Sequence, residues 1–202
     1  MSENTQKVWK IKEPDQRLTQ RLAEQLKIPH LIAKLLVNRN ITDEKSAYEF
    51  LHPDISHLHS PSKLKGISEA VERIKKAISN KERIIIYGDY DVDGITSVCL
   101  MFIALNSLGA NVHYYIPKRY EEGYGLNYDS LTELKRSGCD LLLTVDCGIS
   151  TVKEVNFANE SGMDVIITDH HEPPKKIPPA IAVINPKLSD SGYPYNYLAG
   201  VG

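Results

Sequence analysis

The stretch that decides the fold is residues 83–94, RIIIYGDYDVDG. It opens with a short apolar run that predicts a buried strand over 83–87. Three aspartates follow, and the apolar spacing beyond them predicts a helix from Gly94 to Leu108. The chain therefore passes from a buried strand through an acidic turn into a helix.

The same alternation continues towards the C-terminus. Further apolar strands are predicted at 111–117, 140–146, 164–169 and 181–186, with helices at 129–137 and 151–161. Strands that are apolar throughout and separated by helices are typical of a parallel sheet covered on both faces. We therefore predict an α/β fold in which a parallel β-sheet is flanked by helices.

The first 80 residues have a different pattern. Leucine and isoleucine recur there at helical spacing among many lysines and glutamates. The sequence predicts a helical N-terminal extension over 1–80 and an α/β domain, which would carry the chemistry, over 81–202.

Overall composition excludes several classes of protein. The 202 residues have a formal net charge of −2, which excludes a chain-wide basic surface for nucleic acid. No apolar run is long enough to cross a membrane, and the first residues lack the apolar segment of a secretory signal. Three sparse cysteines favour reduced thiols, so we expect a cytoplasmic protein without membrane contact.

Seven residues with metal-ligating side chains follow three of the five predicted strands: Asp89, Asp91, Asp93, Asp146, Asp169, His170 and His171. Because the carboxyl ends of parallel strands meet at one edge, we expect these side chains to converge. Five carboxylates would repel one another there unless cations neutralise them. Carboxylate with imidazole suits Mn²⁺, Mg²⁺, Fe²⁺ or Zn²⁺, while the lack of converging cysteines argues against structural zinc. Two ions sharing one aspartate would fit this number of ligands.

Each of these residues alone has a simpler explanation. An aspartate after a strand is most often a helix N-cap or a turn former, and Asp89 or Asp93 could cap the helix near Gly94. The pair His170 and His171 could form a turn with one core histidine. The convergence of the whole set on one edge favours a metal site.

Three segments, YGDYDVDGITS, TVDCGIS and ITDHHEPP, resemble the motifs of the DHH phosphoesterase superfamily. The GDYDVDG form, the later LAGVG segment and the N-terminal helices are similar to the single-stranded-DNA-specific 5′→3′ exonucleases of that superfamily. The resemblance implies a centre of two Mn²⁺ or Mg²⁺ ions that hydrolyses phosphodiesters through attack of a metal-activated water on phosphorus.

The resemblance also implies roles for individual residues. Those that match metal ligands are Asp91, Asp93, Asp146 and His170, with Asp146 as the bridge between the ions. His171 matches a ligand or substrate contact and completes the catalytic set. Asp89 and Asp169 match positions that support the ligands from outside the coordination sphere.

The sequence departs from the family pattern in two places. Many members have histidine at the position of Tyr87, so an imidazole near the metals is absent here. A fourth motif with another metal-binding aspartate, and a second domain that clamps nucleic acid, would follow LAGVG, but the sequence stops at Gly202. We therefore expect the N-terminal fragment of a longer protein, with one metal position weak or empty.

The segment 117–128, PKRYEEGYGLNY, combines two cations with three tyrosines. Phosphate-binding cations and stacking rings are what single-stranded DNA needs, although a solvated loop with inward-packed tyrosines fits the composition too. Arg119 is the first candidate for a DNA contact, because a guanidinium can hold phosphate through two N–H groups, and Lys118 is the second.

The leading prediction is an exonuclease that degrades single-stranded DNA in repair and recombination. Its expected partners are single-stranded DNA, a single-stranded-DNA-binding protein and a helicase. One alternative is another DHH enzyme that acts on short oligonucleotides, cyclic dinucleotides or pyrophosphate, which the GDYDVDG form and the N-terminal helices disfavour. The other is a non-catalytic binding module, which the intact acidic motifs disfavour.

Overall fold

A computed structural model of the chain describes residues 10, 12–118, 123 and 125–202. The helices are α1 (Gln16–Leu26), α2 (His30–Asn38), α3 (Glu44–Leu51), α4 (Ile67–Ser79), α5 (Val92–Ser107), α6 (Tyr128–Arg136) and α7 (Val152–Glu160). The strands are β1 (Arg83–Gly88), β2 (Asn111–Tyr115), β3 (Leu141–Val145), β4 (Asp164–Thr168) and β5 (Ala182–Ile184).

The chain forms two compact units, Met1–Leu58 and His59–Gly202. This division lies earlier than the one we predicted between residues 80 and 81. The reason is that α4 packs Ala70 and Ala77 into the core of the sheet, so this helix belongs to the second unit.

The first unit is helical. Its three helices α1, α2 and α3 share a small core built around Leu22, Leu36 and Ala47. Asp15 and Asp43 cap α1 and α3 by accepting backbone N–H bonds of 3.0 and 2.9 Å in the first turn of each helix.

The second unit is built on a five-stranded sheet with the order β2-β1-β3-β4-β5, and every pairing is parallel. This confirms the predicted fold class. The strand order reverses between β1 and β3, because β2 lies on one side of β1 whereas β4 and β5 continue beyond β3. Open parallel sheets bind ligands at such a reversal, beyond the carboxyl ends of the strands.

Helices cover both faces of the sheet, and the strands are buried on both faces. Leu141, Leu143 and Val145 of β3 pack in the core that includes α4 and α5. Leu142 of the same strand packs in the core that includes α6 and α7. This alternation explains why the strands are continuous apolar runs in the sequence.

Some elements end a few residues away from their predicted bounds. β2 stops at Tyr115 instead of reaching 117, close to Pro117, which has no backbone N–H to continue the ladder. α5 begins at Val92 instead of Gly94, because Asp91 supplies its N-cap. These shifts leave every predicted element of the sheet in place.

The helix α5 carries apolar residues on more than its buried side. Val98 and Leu105 are buried in the core, whereas Leu100 and Ile103 are more than half exposed. Neither α5 nor any other helix in the described part of the chain is long and apolar enough to cross a membrane.

Candidate metal centre

The turn between β1 and α5 presents three aspartates at the strand-order reversal. A Cβ atom on Gly94 would lie 2.5 Å from the carbonyl oxygen of Asp89, so only glycine lets the helix start this close to the strand end. Asp91 Oδ1 accepts the backbone N–H groups of Asp93 and Gly94 at 2.9 and 3.0 Å. The cap of α5 is therefore Asp91, and not Asp89 or Asp93 as the simpler explanation suggested.

Asp146 follows β3 in an unusual backbone conformation. Its φ is 60°, in the left-handed region that few residues other than glycine adopt, and its side chain is 2% exposed. Its backbone N–H is fixed by a 3.0 Å bond to the carbonyl of Thr168 in β4. Strain of this kind is found at functional sites where the surroundings hold a side chain in one place.

The end of β4 is organised around Asp169. One carboxylate oxygen accepts the backbone N–H of Ile149 at 2.9 Å. The other accepts the N–H groups of His170 and His171 at 2.7 and 3.0 Å, and lies 2.7 Å from Nδ1 of the His171 ring. Asp169 thus orients the histidine pair and ties it to the loop after β3.

Two sets of three side chains have ligating atoms within 4.8 Å of one another: Asp146, His170 and His171, and Asp89, Asp91 and Asp146. Asp146 is common to both sets, and His170 Nε2 lies 3.0 Å from its Oδ1. Oxygen and imidazole donors of this number and spacing fit two neighbouring divalent cations that share one carboxylate.

The electrostatics of Asp146 give a second reason to expect cations. Burial, together with the nearby charges of Asp93 and Asp91, raises the pKa of its carboxyl group to about 7. A divalent cation would offset both effects, so the residues present fit such an ion. Burial also raises the pKa of the Cys147 thiol well above its ordinary value, which argues against a thiolate ligand.

The neighbours of Asp93 and Asp89 are different. Asp93 lies outside both sets, with Oδ2 at 3.6 Å from His170 Nε2. Its two oxygens instead accept the backbone N–H groups of Gly200 and Val201 at 2.7 and 2.8 Å. Asp89, expected only to support the ligands, has an oxygen within the second set. Sequence reasoning missed that the backbone of residues 200 and 201 bonds to Asp93. The glycines of LAGVG were the available signal for this contact.

The motif segments are matched by a family comparison as well. A model described as the DHH family, N-terminal domain, matches residues 83–202, which include the whole sheet and all the site residues named above. The chain belongs to the DHH family.

Relatives of the chain include exonucleases called RecJ. This agrees with the resemblance of the sequence to single-stranded-DNA-specific exonucleases. The single-stranded-DNA-specific exonuclease RecJ of Bacillus subtilis (strain 168) is 47% identical over 194 residues, which are 96% of this chain and 25% of that protein. The chain spans about 25% to 30% of the length of this and the next relatives it matches.

The chain is also similar to solved structures of RecJ. A crystal structure of exonuclease RecJ bound to manganese has a TM-score of 0.62 and 41% identity, covering 69% of this chain and 35% of that one. A crystal structure of RecJ from Thermus thermophilus in complex with Mn²⁺ has a TM-score of 0.67 and 31% identity, covering 95% of this chain and 26% of that one.

Tyr87 and Lys118, which the sequence analysis also singled out, are not members of the metal-ligating sets. Tyr87 is fully buried in the core of α6 and α7, and its hydroxyl donates a 2.9 Å bond to the carbonyl of Gly125. Lys118 is exposed and follows β2 at the same edge of the sheet as the site. Arg119, the preferred candidate for a DNA contact, lies outside the described residues.

Proposed function

We propose that this chain carries the metal centre of a hydrolase that degrades single-stranded DNA from its 5′ end. The observation that most supports this proposal lies at the strand-order reversal. Two sets of oxygen and imidazole donors come together there, and Asp146 belongs to both of them. The direction of degradation and the DNA substrate are drawn from the resemblance to the RecJ exonucleases.

The residues proposed to hold two Mn²⁺ or Mg²⁺ ions are Asp91, Asp93, Asp146 and His170. Asp146 is assigned to both ions because it belongs to both sets, and Asp89 is a further oxygen donor within reach. When bound, such ions lower the pKa of water and stabilise negative charge on phosphate oxygens. The buried, backbone-fixed carboxylate of Asp146 would keep the donor atoms at a constant spacing during the reaction.

His171 is proposed to act at the phosphate. Its Nδ1 lies 2.7 Å from Asp169, so this carboxylate fixes the ring and assigns a proton to that nitrogen. Nε2 is then the ring nitrogen that contacts metal or a non-bridging phosphate oxygen. Asp169 itself acts through the two histidines.

The substrate path is proposed to run along the loop after β2. Lys118 is exposed at the carboxyl edge of the sheet, and the same segment of sequence holds Arg119 and three tyrosines. Cations hold the phosphates of single-stranded DNA while rings stack on its bases. Loss of DNA affinity and of its salt dependence in Arg119→Ala would support this path, and unchanged values would exclude it.

We further propose that the reaction serves DNA repair and recombination in the cytoplasm. All three cysteines are free, which suits a reducing compartment. A single-stranded-DNA-binding protein and a helicase stay predictions based on the resemblance.

The test is hydrolysis of single-stranded DNA labelled at either end, with Mn²⁺ present. We expect stepwise release from the 5′ end by the unmodified chain and none by Asp91→Ala or Asp93→Ala. Asp164→Asn, at the opposite edge of the sheet, is the matched control and should retain activity. Hydrolysis that persists in the first two variants would contradict the assignment, and cleavage of dinucleotides but not of longer DNA would favour the other DHH phosphodiesterases.

A further inference from the structure

Residues 198–202 bring two backbone N–H groups to the Asp93 carboxylate. Gly200 donates to Oδ2 at 2.7 Å and Val201 donates to Oδ1 at 2.8 Å. The turn is closed by a 3.0 Å bond from the Gly202 N–H to the carbonyl of Ala199. Each carboxylate oxygen has two lone pairs, so each keeps one that can face a metal ion.

Gly200 also lies directly against Asp146. A Cβ atom on Gly200 would lie 2.6 Å from Asp146 Oδ1 and 2.8 Å from both Cβ and Cγ of the same side chain. The φ of Gly200 is outside the left-handed region, so glycine is required here for space and not for backbone conformation. Asp146 has little room to give way, because it is buried and its backbone N–H is bonded to Thr168.

We propose that Gly200 is a positioning residue of the metal centre. Its lack of a side chain lets the backbone of residues 200 and 201 hold the Asp93 carboxylate beside His170 and Asp146. This inference rests on the function proposed above, in which Asp93 and Asp146 bind metal.

The physical effect of these two hydrogen bonds is preorganisation. Asp93 lies in the first turn of α5, where an unrestrained side chain would lose rotamer freedom each time it bound a metal ion. The two N–H groups fix the carboxylate in advance, and their partial positive charges reduce its repulsion from Asp146. An alanine at position 200 must displace either these N–H groups or the Asp146 carboxylate, and both displacements weaken metal binding.

The test is Mn²⁺ titration of the chain, followed by the electron paramagnetic resonance signal of the free ion. We expect Gly200→Ala to bind Mn²⁺ about 10- to 100-fold more weakly, the usual effect of losing an outer-sphere partner. Gly202→Ala is the matched control, because a Cβ atom there meets its nearest neighbour only at 3.4 Å. Its affinity should stay within about twofold, as is normal for a substitution that makes only ordinary van der Waals contacts.

The outcomes separate this inference from the proposed function. Equal Mn²⁺ affinity in the unmodified chain and in Gly200→Ala would overturn the positioning role and leave the function standing. No Mn²⁺ binding by the unmodified chain would overturn the function itself. A weaker Gly200→Ala with an unchanged thermal unfolding midpoint would support the positioning role.

A second measurement does not depend on the folding of Gly200→Ala. Amide hydrogen exchange of Gly200 and Val201 should be slow in the unmodified chain and at least about tenfold faster in Asp93→Ala, because the acceptor is removed. The Cys139 amide, bonded to Leu134 on the far side of the sheet, should exchange equally in both proteins. Equal exchange at residues 200 and 201 in the two proteins would overturn the inference.

Discussion

The amino and carboxyl edges of the sheet differ in the partners that their acidic residues have. At the amino edge, Arg73 of α4 holds Asp164 through Nε at 2.6 Å and Glu82 through Nη2 at 2.5 Å. At the carboxyl edge, the partners described for Asp93, Asp146 and Asp169 are imidazoles and backbone N–H groups.

The difference lies in where the compensating charge comes from. The fold itself supplies a guanidinium at the amino edge. The pKa of Glu82 lies below its ordinary value there, because hydrogen bonds from Asn80 and Arg73 together outweigh the opposing effect of burial. At the carboxyl edge the pKa of Asp146 rises to about 7 through burial and its acidic neighbours. Acidic residues at the amino edge stabilise the structure, whereas in the proposed function those at the carboxyl edge bind a cation from solution.

The largest expected effect comes from substituting one aspartate at each edge. Asp146→Asn should lower Mn²⁺-dependent hydrolysis of single-stranded DNA by about 10³-fold or more, because the shared ligand of two ions is worth several kcal/mol. Asp164→Asn should leave hydrolysis within about twofold, since it contacts no candidate ligand. Equal losses in the two variants, measured as initial rates, would remove the distinction between the edges.

A variant at the amino edge should change stability and leave metal binding unchanged. Arg73→Ala should lower the free energy of unfolding by about 1–3 kcal/mol, because two carboxylates lose a side chain that is only 10% exposed. Its Mn²⁺ affinity should not change. Urea denaturation and Mn²⁺ titration of this one variant check both statements, and weakened metal binding would show that the two edges are coupled.

The stability of the metal-free chain should depend on pH through Asp146. The raised pKa means that the folded state binds this proton more tightly than the unfolded state, whose carboxyl keeps an ordinary value near 3.8. The protonated Asp146 therefore adds its full stabilisation below about pH 4. This stabilisation is lost as pH rises through about 7, which lowers the free energy of unfolding by about 1–3 kcal/mol.

Substitution isolates this effect. Asp146→Asn should be more stable than the unmodified metal-free chain at pH 8 and should lose most of the dependence between pH 4 and 8. Asparagine also tolerates the left-handed conformation of this residue. A steeper fall in stability for Asp146→Asn over this range would contradict the assignment.

The smallest effect should come from Tyr87, which lies on β1 near the carboxyl edge but outside the metal-ligating sets. Tyr87→Phe loses the 2.9 Å bond to Gly125 and should cost about 1 kcal/mol of stability. Its Mn²⁺ affinity should equal that of the unmodified chain. A change in affinity would mean that this side chain acts on the site.

Sequence reasoning identified the sheet and the strands whose ends carry the site because both depend on local patterns. Continuous apolar runs mark strands buried on two faces, and aspartates directly after them must lie at the carboxyl edge. The five strands are present, and none of their ends is shifted by more than two residues.

The detailed arrangement of the site was not predictable in the same way. Asp146 has a left-handed backbone and bonds to Thr168 in a neighbouring strand, and the partners of Asp93 are more than a hundred residues away in the chain. Local spacing carries no information about such pairings, which arise only when the chain folds.

The most direct measurement is a Mn²⁺ titration of the unmodified chain beside Asp146→Asn and Asp164→Asn at pH 7.5. The arrangement of the two edges predicts saturable binding to the unmodified chain and to Asp164→Asn, and at least about 100-fold weaker binding to Asp146→Asn. Binding that is absent from the unmodified chain, or that survives in Asp146→Asn, would contradict the assignment of the carboxyl edge as a metal centre.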